Sequence, residues 1–240
     1  MQRLNIGAII YPDMDQADFT GPLEVLSRIP NARFLVIGRH RNTIRDVRGL
    51  ILTPETTFSE SPQLDVLIIP GGVGQEELLN DEVTLSFIRK QSETARYVLS
   101  VCTGALLCGA VGLLNGVKAT THWAAFDVLH YFGAIPVNSR DVIDGKYVTT
   151  VGVTAGLDGS FRLASLLCGD DVAQEIQLSM EYAPEPPFDA GSPFTAPSDV
   201  VDRVRNSFHR IASQRLITAR QVASRLGIHP VGMGQSPING

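Results

Sequence analysis

Residues 97–105 read Tyr-Val-Leu-Ser-Val-Cys-Thr-Gly-Ala, and this stretch decides the fold class. The segment up to Val101 is mostly apolar and contains two valines, which favours a buried strand. The three residues after the cysteine are small and open a helix, so Cys102 stands at a sharp junction between a strand and a helix. The junction predicts an α/β domain in which the side chain of Cys102 projects above the end of a strand.

The position of Cys102 at the start of a helix predicts a reactive thiol. Unpaired backbone N–H groups and the helix dipole favour an anion there, so we expect a lowered pKa and more thiolate at neutral pH. The alternative is a buried and inert cysteine. We expect that alternative for Cys108 and Cys168, because each lies within an apolar helical stretch.

A second candidate feature is the turn Pro70-Gly71-Gly72, which follows the apolar run Val66–Ile69. Glycines at the carboxyl end of a strand let the backbone approach a ligand closely. In open α/β sheets that edge is where ligands bind. We therefore expect Gly71 and Gly72 in the binding turn, with the N–H groups of Gly72 and Thr103 polarising a substrate atom as an oxyanion hole does.

The third candidate is Asp18, which opens the sequence Asp-Phe-Thr-Gly-Pro after the first predicted strand. A carboxylic acid beside a thiolate can give and take a proton. The negative sulfur would also raise the pKa of such an acid. Alternatively, Asp18 only caps a helix or supports its first turn.

Short apolar runs alternate with helical stretches over residues 1–182, which we expect to form the catalytic domain. Strands are predicted at 6–11, 34–38, 66–69 and 97–101, in an extended pair at 49–58, and in a hairpin around Asp144-Gly145. Helices are predicted at 20–28, 75–93, 103–112, 123–132, 155–168 and 171–182. This alternation predicts a mostly parallel sheet flanked by helices.

The C-terminal part of the chain reads differently. Residues 183–197 are rich in Pro and Gly, which predicts a linker or an extended arm laid over a surface. Two helices, at about 198–213 and 218–226, are predicted to follow. We expect the segment 183–226 to pack on the domain or on a dimer partner, and 227–240 to form a flexible tail.

The composition argues against several classes of protein. A net charge of −5 gives no reason to expect nucleic acid as a partner, and the six arginines within 198–240 are most simply a solvated helix face. No stretch reaches the ~20 apolar residues that a membrane span needs. The N-terminus does not read as a signal peptide. Three cysteines without close pairing or a zinc pattern favour a reduced, cytoplasmic compartment.

The order of these motifs resembles the ThiJ/PfpI superfamily. Further stretches narrow the resemblance to the isocyanide hydratase family, namely Ala-Thr-Thr-His-Trp at 119–123, Thr-Ala-Gly-Leu-Asp at 154–158, and the segment from Glu181 to Pro193. The likeness covers about residues 4–215. It implies a flavodoxin-like fold, a homodimer, a Cys102 nucleophile with Asp18 as its acidic partner, and neither a metal nor an organic cofactor.

Two departures separate the chain from the PfpI-type proteases and deglycase-like members of that superfamily. Thr103 follows the cysteine where those proteins commonly carry His, which excludes a dyad of Cys102 with an adjacent histidine. Asp18 stands where their carboxylate is typically Glu. His122 is the best-placed histidine, and we expect it to form structural hydrogen bonds rather than to react.

The resemblance implies that the chain hydrates an organic isocyanide, R–N≡C, to an N-substituted formamide. Cys102 is expected to add to the terminal carbon, and Asp18 to protonate the nitrogen, which gives a thioimidate. Water activated by Asp18 then releases the formamide. Thr103 is expected to orient the acid or the water through its hydroxyl.

Two other functions stay open. Residues 216–229 read like the opening of an AraC-type helix-turn-helix module, which suits a ligand-sensing regulator. However, the sequence continues for only about 11 residues, too few for a recognition helix and its support. The other function is a redox sensor that uses oxidation of Cys102 without turnover.

Overall fold

The structure is a computed structural model and describes residues 3–230. Its strands are β1 (Leu4–Ile9), β2 (Ala32–Gly38), β3 (Ile44–Arg45), β4 (Ile51–Leu52), β5 (Thr56–Thr57), β6 (Val66–Ile69), β7 (Tyr97–Val101), β8 (Lys118–Ala119), β9 (Ile135–Pro136), β10 (Asp141–Asp144) and β11 (Tyr147–Thr150). Its α-helices are α1 (Gln16–Leu26), α2 (Gln75–Leu78), α3 (Glu82–Thr94), α4 (Gly104–Ala110), α5 (Ala155–Cys168), α6 (Asp170–Ser179) and α7 (Ser198–Leu226). A 3-10 helix spans Trp123–Phe132.

Seven strands form the central sheet in the order β10-β11-β7-β6-β1-β2-β5. Every neighbouring pair is parallel except β10 and β11, which form an antiparallel hairpin. All four residues of β6 are buried, as expected for a strand covered by helices on both faces. The predicted α/β fold with a mostly parallel sheet is confirmed.

The three central strands bring the candidate residues to one edge of the sheet. β1 leads towards Asp18, β6 ends at the turn that holds Gly71, and β7 ends directly before Cys102. Because parallel strands end on the same side, residues that lie far apart in sequence meet at this carboxyl edge.

Near the N-terminus, the structure differs from two of the predicted elements. α1 begins at Gln16 rather than at Thr20, because Asp15 caps it by accepting a hydrogen bond from the backbone of the second helical residue. The prediction that residues 49–58 form an extended pair is wrong, because the two strands in this segment pair with other strands. β4 pairs with β3, and β5 pairs with β2, since Pro54 separates the two short strands.

Two predicted helices in the middle of the chain also change form. The helix predicted at 75–93 breaks into α2 and α3, because the side chain of Asp81 caps α3 by accepting from the Thr84 N–H at 3.1 Å. The helix predicted at 123–132 is a 3-10 helix, which ends at Gly133 in a left-handed conformation with φ of 71°.

The C-terminal segment forms one long helix instead of the two predicted. Buried residues recur at helical spacing through the expected break, so α7 runs without interruption, and they are Arg215, Thr218, Ala219, Val222 and Ala223. Residues 183–197 contain neither helix nor strand and are mostly exposed. Of the tail predicted to be flexible, residues 231–240 lie outside the described residues. No helix within residues 3–230 is long and apolar enough to cross a membrane.

Candidate active site

The backbone of Cys102 is held in an unusual conformation between β7 and α4. Its φ is +56°, a left-handed value that costs a non-glycine residue about 1–3 kcal/mol. The amide of Cys102 donates to the Thr150 carbonyl at 3.1 Å, and its carbonyl accepts from the Thr121 hydroxyl at 2.7 Å. These two hydrogen bonds fix the turn, and the residue is only 7% exposed.

Gly104 makes this turn possible where α4 crosses β6. A Cβ atom on Gly104 would lie 2.0 Å from the carbonyl oxygen of Ile69, a distance at which no side chain fits. The small residue that the sequence places after the cysteine therefore serves a close approach of two backbones.

Asp18 lies buried in the first turn of α1 and is not the capping residue. Its Oδ2 accepts a hydrogen bond from the Gly71 N–H at 3.0 Å. Its Oδ1 has no hydrogen-bond partner within residues 3–230, although the atom is buried. Since Asp15 caps α1, the cap role that the sequence left open for Asp18 is wrong.

Burial, together with the nearby Asp15 carboxylate, raises the pKa of Asp18 to about 7. The Gly71 N–H and a hydrogen bond with Cys102 oppose this rise. A carboxyl group with a pKa near neutrality is populated as both acid and base at the pH of a cell, which suits proton transfer.

The prediction of a lowered pKa for Cys102 is wrong. Burial raises the pKa of the thiol well above its ordinary value, and the Asp18 carboxylate raises it as well. The Thr103 N–H at the start of α4 and the Arg215 guanidinium lower it, but they do not outweigh burial. The thiol therefore keeps its proton at neutral pH until a neighbouring base accepts it.

The N–H groups of the glycine turn bond to other protein groups and are not free to bind a substrate. The Gly71 N–H is bonded to Asp18, and the Gly72 N–H donates to Thr103 Oγ1 at 3.1 Å. The Thr103 hydroxyl in turn donates to the Gly72 carbonyl at 3.2 Å. The expected oxyanion hole at Gly72 is thus occupied by protein, and the hydroxyl of Thr103 is engaged with the turn.

Only glycine fits at position 71. A Cβ atom there would lie 2.5 Å from the Thr103 nitrogen and 2.9 Å from Oδ2 of Asp18. Gly72 adopts a φ of +126°, which side-chain-bearing residues rarely adopt. The turn therefore joins the acid of α1 to the junction after β7 through direct backbone contacts.

Two buried groups at the site were not predicted from the sequence. Tyr11 donates its hydroxyl proton to the Pro70 carbonyl at 2.7 Å, and burial together with Asp18 and Cys102 raises its pKa well above the usual value. Arg215 of α7 is 4% exposed, whereas the sequence analysis assigned it to a solvated helix face. Its helical spacing with the other buried residues of α7 is the sequence signal that could have identified it.

His122 has a structural role, as predicted. Its Nδ1 accepts from the Ala124 N–H at 3.3 Å and caps the 3-10 helix, and its ring packs against Trp123 and Phe208. Burial, assisted by the charge of Arg215, lowers its pKa to about 4. The imidazole is neutral at physiological pH.

A cavity of about 520 Å³ lies beside the carboxyl end of β11. Its wall includes His122, Trp123, Phe194 and the segment 152–154. Cys102 does not line this cavity. Within residues 3–230, no cluster of three or more His, Cys, Asp or Glu side chains is arranged to hold a metal ion.

Comparisons with known proteins agree with this architecture. The chain matches the sequence model of the DJ-1/PfpI family over residues 5–165. It is 47% identical to an isonitrile hydratase of Pseudomonas putida over 225 residues, which cover 94% of this chain and 99% of that protein. The crystal structure of a ThiJ/PfpI family protein from Pseudomonas syringae superposes with a TM-score of 0.89 at 36% identity, covering 91% of each chain.

A more distant likeness concerns a regulator. The HTH-type transcriptional regulator GbdR of Pseudomonas aeruginosa is 30% identical over 137 residues. The match covers 56% of this chain and 37% of the regulator.

Proposed function

The chain belongs to the DJ-1/PfpI family, and we propose that it hydrates organic isocyanides to N-substituted formamides with Cys102 as the nucleophile. The observation that carries this proposal is the buried Cys102–Asp18 pair in a chain that matches an isonitrile hydratase over almost its full length. The strained turn at Cys102 supports a nucleophile elbow. The reaction requires neither a metal nor an organic cofactor.

The first step joins sulfur to carbon. The Asp18 carboxylate takes the proton of the Cys102 thiol as the sulfur attacks the terminal carbon of R–N≡C. The same proton then passes from Asp18 to that carbon, which gives the thioimidate Cys–S–CH=N–R. The sequence-based scheme placed this proton on nitrogen. The thioimidate and the formamide both carry a hydrogen on carbon, so the first proton belongs there.

The second step adds water and releases the product. Asp18, again a carboxylate, accepts a proton from water as the oxygen attacks the thioimidate carbon, and it passes this proton to nitrogen. The carbon–sulfur bond of the resulting Cys–S–CH(OH)–NH–R then breaks, and the hydroxyl proton returns through Asp18 to the sulfur. The products are HC(=O)–NH–R and the thiol of Cys102. Oδ1 of Asp18, which is free of hydrogen bonds among residues 3–230, is the atom suited to these transfers.

The occupied N–H groups of the glycine turn are compatible with this substrate. An isocyanide is small and uncharged and has no carbonyl oxygen, so its activation does not depend on an oxyanion hole. In this reaction Gly71 holds the acid, while Gly72 and Thr103 hold each other at the junction. Thr103 therefore orients the acid indirectly, through the turn.

We also propose that residues 1–182 form the catalytic domain and that the arm and helix at 183–226 contribute to a homodimer. Large apolar side chains in and near the arm are exposed, with Phe188 78%, Phe194 67% and Leu178 82% accessible. Covering such side chains with a second copy would remove apolar surface from water. The three free cysteines suit the cytoplasm. Sedimentation of the purified protein should give twice the monomer mass of 26.0 kDa.

The decisive experiment is an assay of the purified protein with a simple alkyl or aryl isocyanide, in which formamide formation is followed directly. We expect Cys102→Ala to abolish turnover while the protein stays folded, because the covalent step has no substitute. Cys108→Ala is the matched control, since Cys108 lies six residues later and is also buried. Turnover that survives in the Cys102 variant would exclude the covalent mechanism.

A further inference from the structure

A buried arginine on α7 carries a charge that the steps above do not use. Arg215 is 4% exposed, whereas Arg203, Arg210 and Arg220 on the same helix are exposed to solvent. Among residues 3–230, its Nε has no hydrogen-bond partner and its guanidinium forms no ion pair. A guanidinium keeps its proton in a protein, and a buried charge that forms no ion pair is unfavourable. An anion in the same buried space would remove this penalty.

The face of α7 that carries Arg215 lies against the active site. Phe208, seven residues earlier, packs on His122 with ring centroids 5.6 Å apart. Thr218, three residues later, donates a hydrogen bond to the carboxylate of Glu76. Residues at these spacings share one side of a helix, so the guanidinium lies between two contacts that α7 makes with the domain.

Four ionisable groups interact electrostatically with the guanidinium. Cys102, Glu76 and Tyr11 favour its charge, and His122 is the group whose pKa the arginine lowers. Of the three that favour the charge, Cys102 has the largest effect. Glu76 forms no ion pair with the arginine; its Oε1 accepts a hydrogen bond from α7 and its Oε2 has no hydrogen-bond partner among residues 3–230, while Tyr11 keeps its proton. The sulfur of Cys102 is therefore the partner whose charge changes during the reaction.

We propose that Arg215 is a positioning residue of the reaction, which stabilises the Cys102 thiolate from the C-terminal helix and so makes α7 part of the active site. When Asp18 takes the thiol proton, no proton leaves the site, and the negative charge moves from the carboxylate to the sulfur. Burial and the carboxylates of Asp18 and Asp15 oppose the anion on sulfur, whereas the Thr103 N–H and Arg215 favour it. The proposal rests on Cys102 as the nucleophile of the proposed function.

The test is the rate at which iodoacetamide alkylates Cys102 as a function of pH in the full-length protein. A background with Cys108→Ala and Cys168→Ala leaves Cys102 as the single thiol. In that background, Arg215→Met and Arg215→Gln remove the buried charge, and Arg215→Lys keeps it. Arg210→Met is the matched control, because it removes an exposed charge from the same helix.

We expect both charge-removing variants to shift the midpoint of the alkylation profile upward by about one pH unit, which lowers the rate near neutral pH about 10-fold. Arg215→Lys should lie closer to the parent, and Arg210→Met should superimpose on it. Isocyanide turnover at neutral pH should fall by a similar factor and recover as the pH is raised. A purely structural arginine would produce neither the shift nor the recovery.

The proposal is wrong if the charge-removing variants keep the parental midpoint, whatever their thermal melts show. Removal of a buried charge that forms no ion pair relieves a desolvation penalty, so both variants should melt at or above the parental temperature. Failure of both to fold would also count against the proposal. Alkylation needs no isocyanide, so it tests Arg215 independently of the proposed reaction. A shifted midpoint in a protein that does not turn over isocyanides would contradict the proposed reaction but support the role of Arg215.

Discussion

Two regions supply the buried groups around Cys102, and they do so in opposite ways. The carboxyl edge of the sheet relies on short side chains and strained backbone, with Gly104 against the β6 carbonyl and Cys102 at a φ of +56°. Helix α7 contributes one long buried side chain, Arg215, whose charge acts on Cys102. The sheet edge therefore fixes the positions of the reacting atoms, whereas α7 sets the charge around them. Changes at the edge should damage the reaction, and changes on α7 should tune it.

The largest effect at the sheet edge, after loss of the nucleophile, is expected from Asp18→Asn. Loss of general acid–base help lowers a rate by about 10²–10⁴, and here the same group serves every proton transfer. Asparagine retains an oxygen that can accept from the Gly71 N–H, so the turn should keep its geometry. The measurement is kcat/KM on an isocyanide, with Asp81→Asn as the control, because Asp81 caps α3 and asparagine caps a helix as well as aspartate does. Parent-like turnover in the Asp18 variant would require another proton carrier.

The same substitution should change stability in a pH-dependent direction. The pKa of Asp18 is about 7 in the folded protein against an ordinary value of 3.8, so the folded state binds more protons between these values. The parent should therefore lose stability as pH rises from about 4 to 7, by roughly 2–4 kcal/mol. Asp18→Asn should melt above the parent at pH 8 and close to it at pH 4. If the variant and the parent melted at the same temperature at both pH values, burial would not destabilise the charged form of Asp18.

The next largest effect is expected from Gly71→Ala, which is compared with Gly21→Ala in the other candidate motif. Gly71→Ala forces a Cβ to within 2.5 Å of the Thr103 nitrogen, and we expect a loss of about 1–3 kcal/mol from overpacking. Displacement of Asp18 should lower kcat/KM about 10²-fold. Gly21→Ala is the control, because its Cβ would meet Leu157 at an ordinary 3.4 Å within a helix that favours alanine. Thermal melts and turnover are measured for both variants. If the two variants had equal melting temperatures and equal turnover, the close contacts at position 71 would not limit the site.

The sheet edge was predictable from the sequence because its chemistry is encoded locally. The run of strand, cysteine and small residues around Cys102 specifies a turn whatever the rest of the fold does. Asp18 was predicted at this edge because it follows the first strand, even though the start of α1 was misplaced. The signal for its role is that parallel strands end together, which any alternating α/β sequence implies.

The errors concern quantities that depend on burial and packing. The helix dipole at Cys102 predicted a lowered pKa, but burial and the carboxylate of Asp18 act in the opposite direction and dominate. The N–H of Gly72 looked free in a glycine-rich turn, yet Thr103 occupies it. Arg215 looked like one of several solvated charges. Its helical spacing with Ala219 and Val222 was the sequence signal that this arginine differs from the others.

The smallest effect is expected for DNA: α7 should give no sequence-specific DNA binding, which follows from the same comparison. A helix-turn-helix module needs a break between two helices, but residues 216–226 complete one continuous helix whose inward face includes Thr218, Ala219 and Val222. That face packs on the catalytic domain, where Thr218 bonds to Glu76. The surface that would support a recognition helix is therefore already used.

Selection of the full-length protein against a pool of randomised duplexes tests this expectation at physiological salt. We expect only weak retention that disappears as salt is raised, since the exposed arginines of α7 can contact phosphates without reading bases. The control is Arg210→Met, which should weaken such retention without changing any sequence preference. An enriched sequence motif that persists at about 0.15 M salt would instead show that α7 serves a regulator, and the likeness to GbdR would then extend beyond the shared domain.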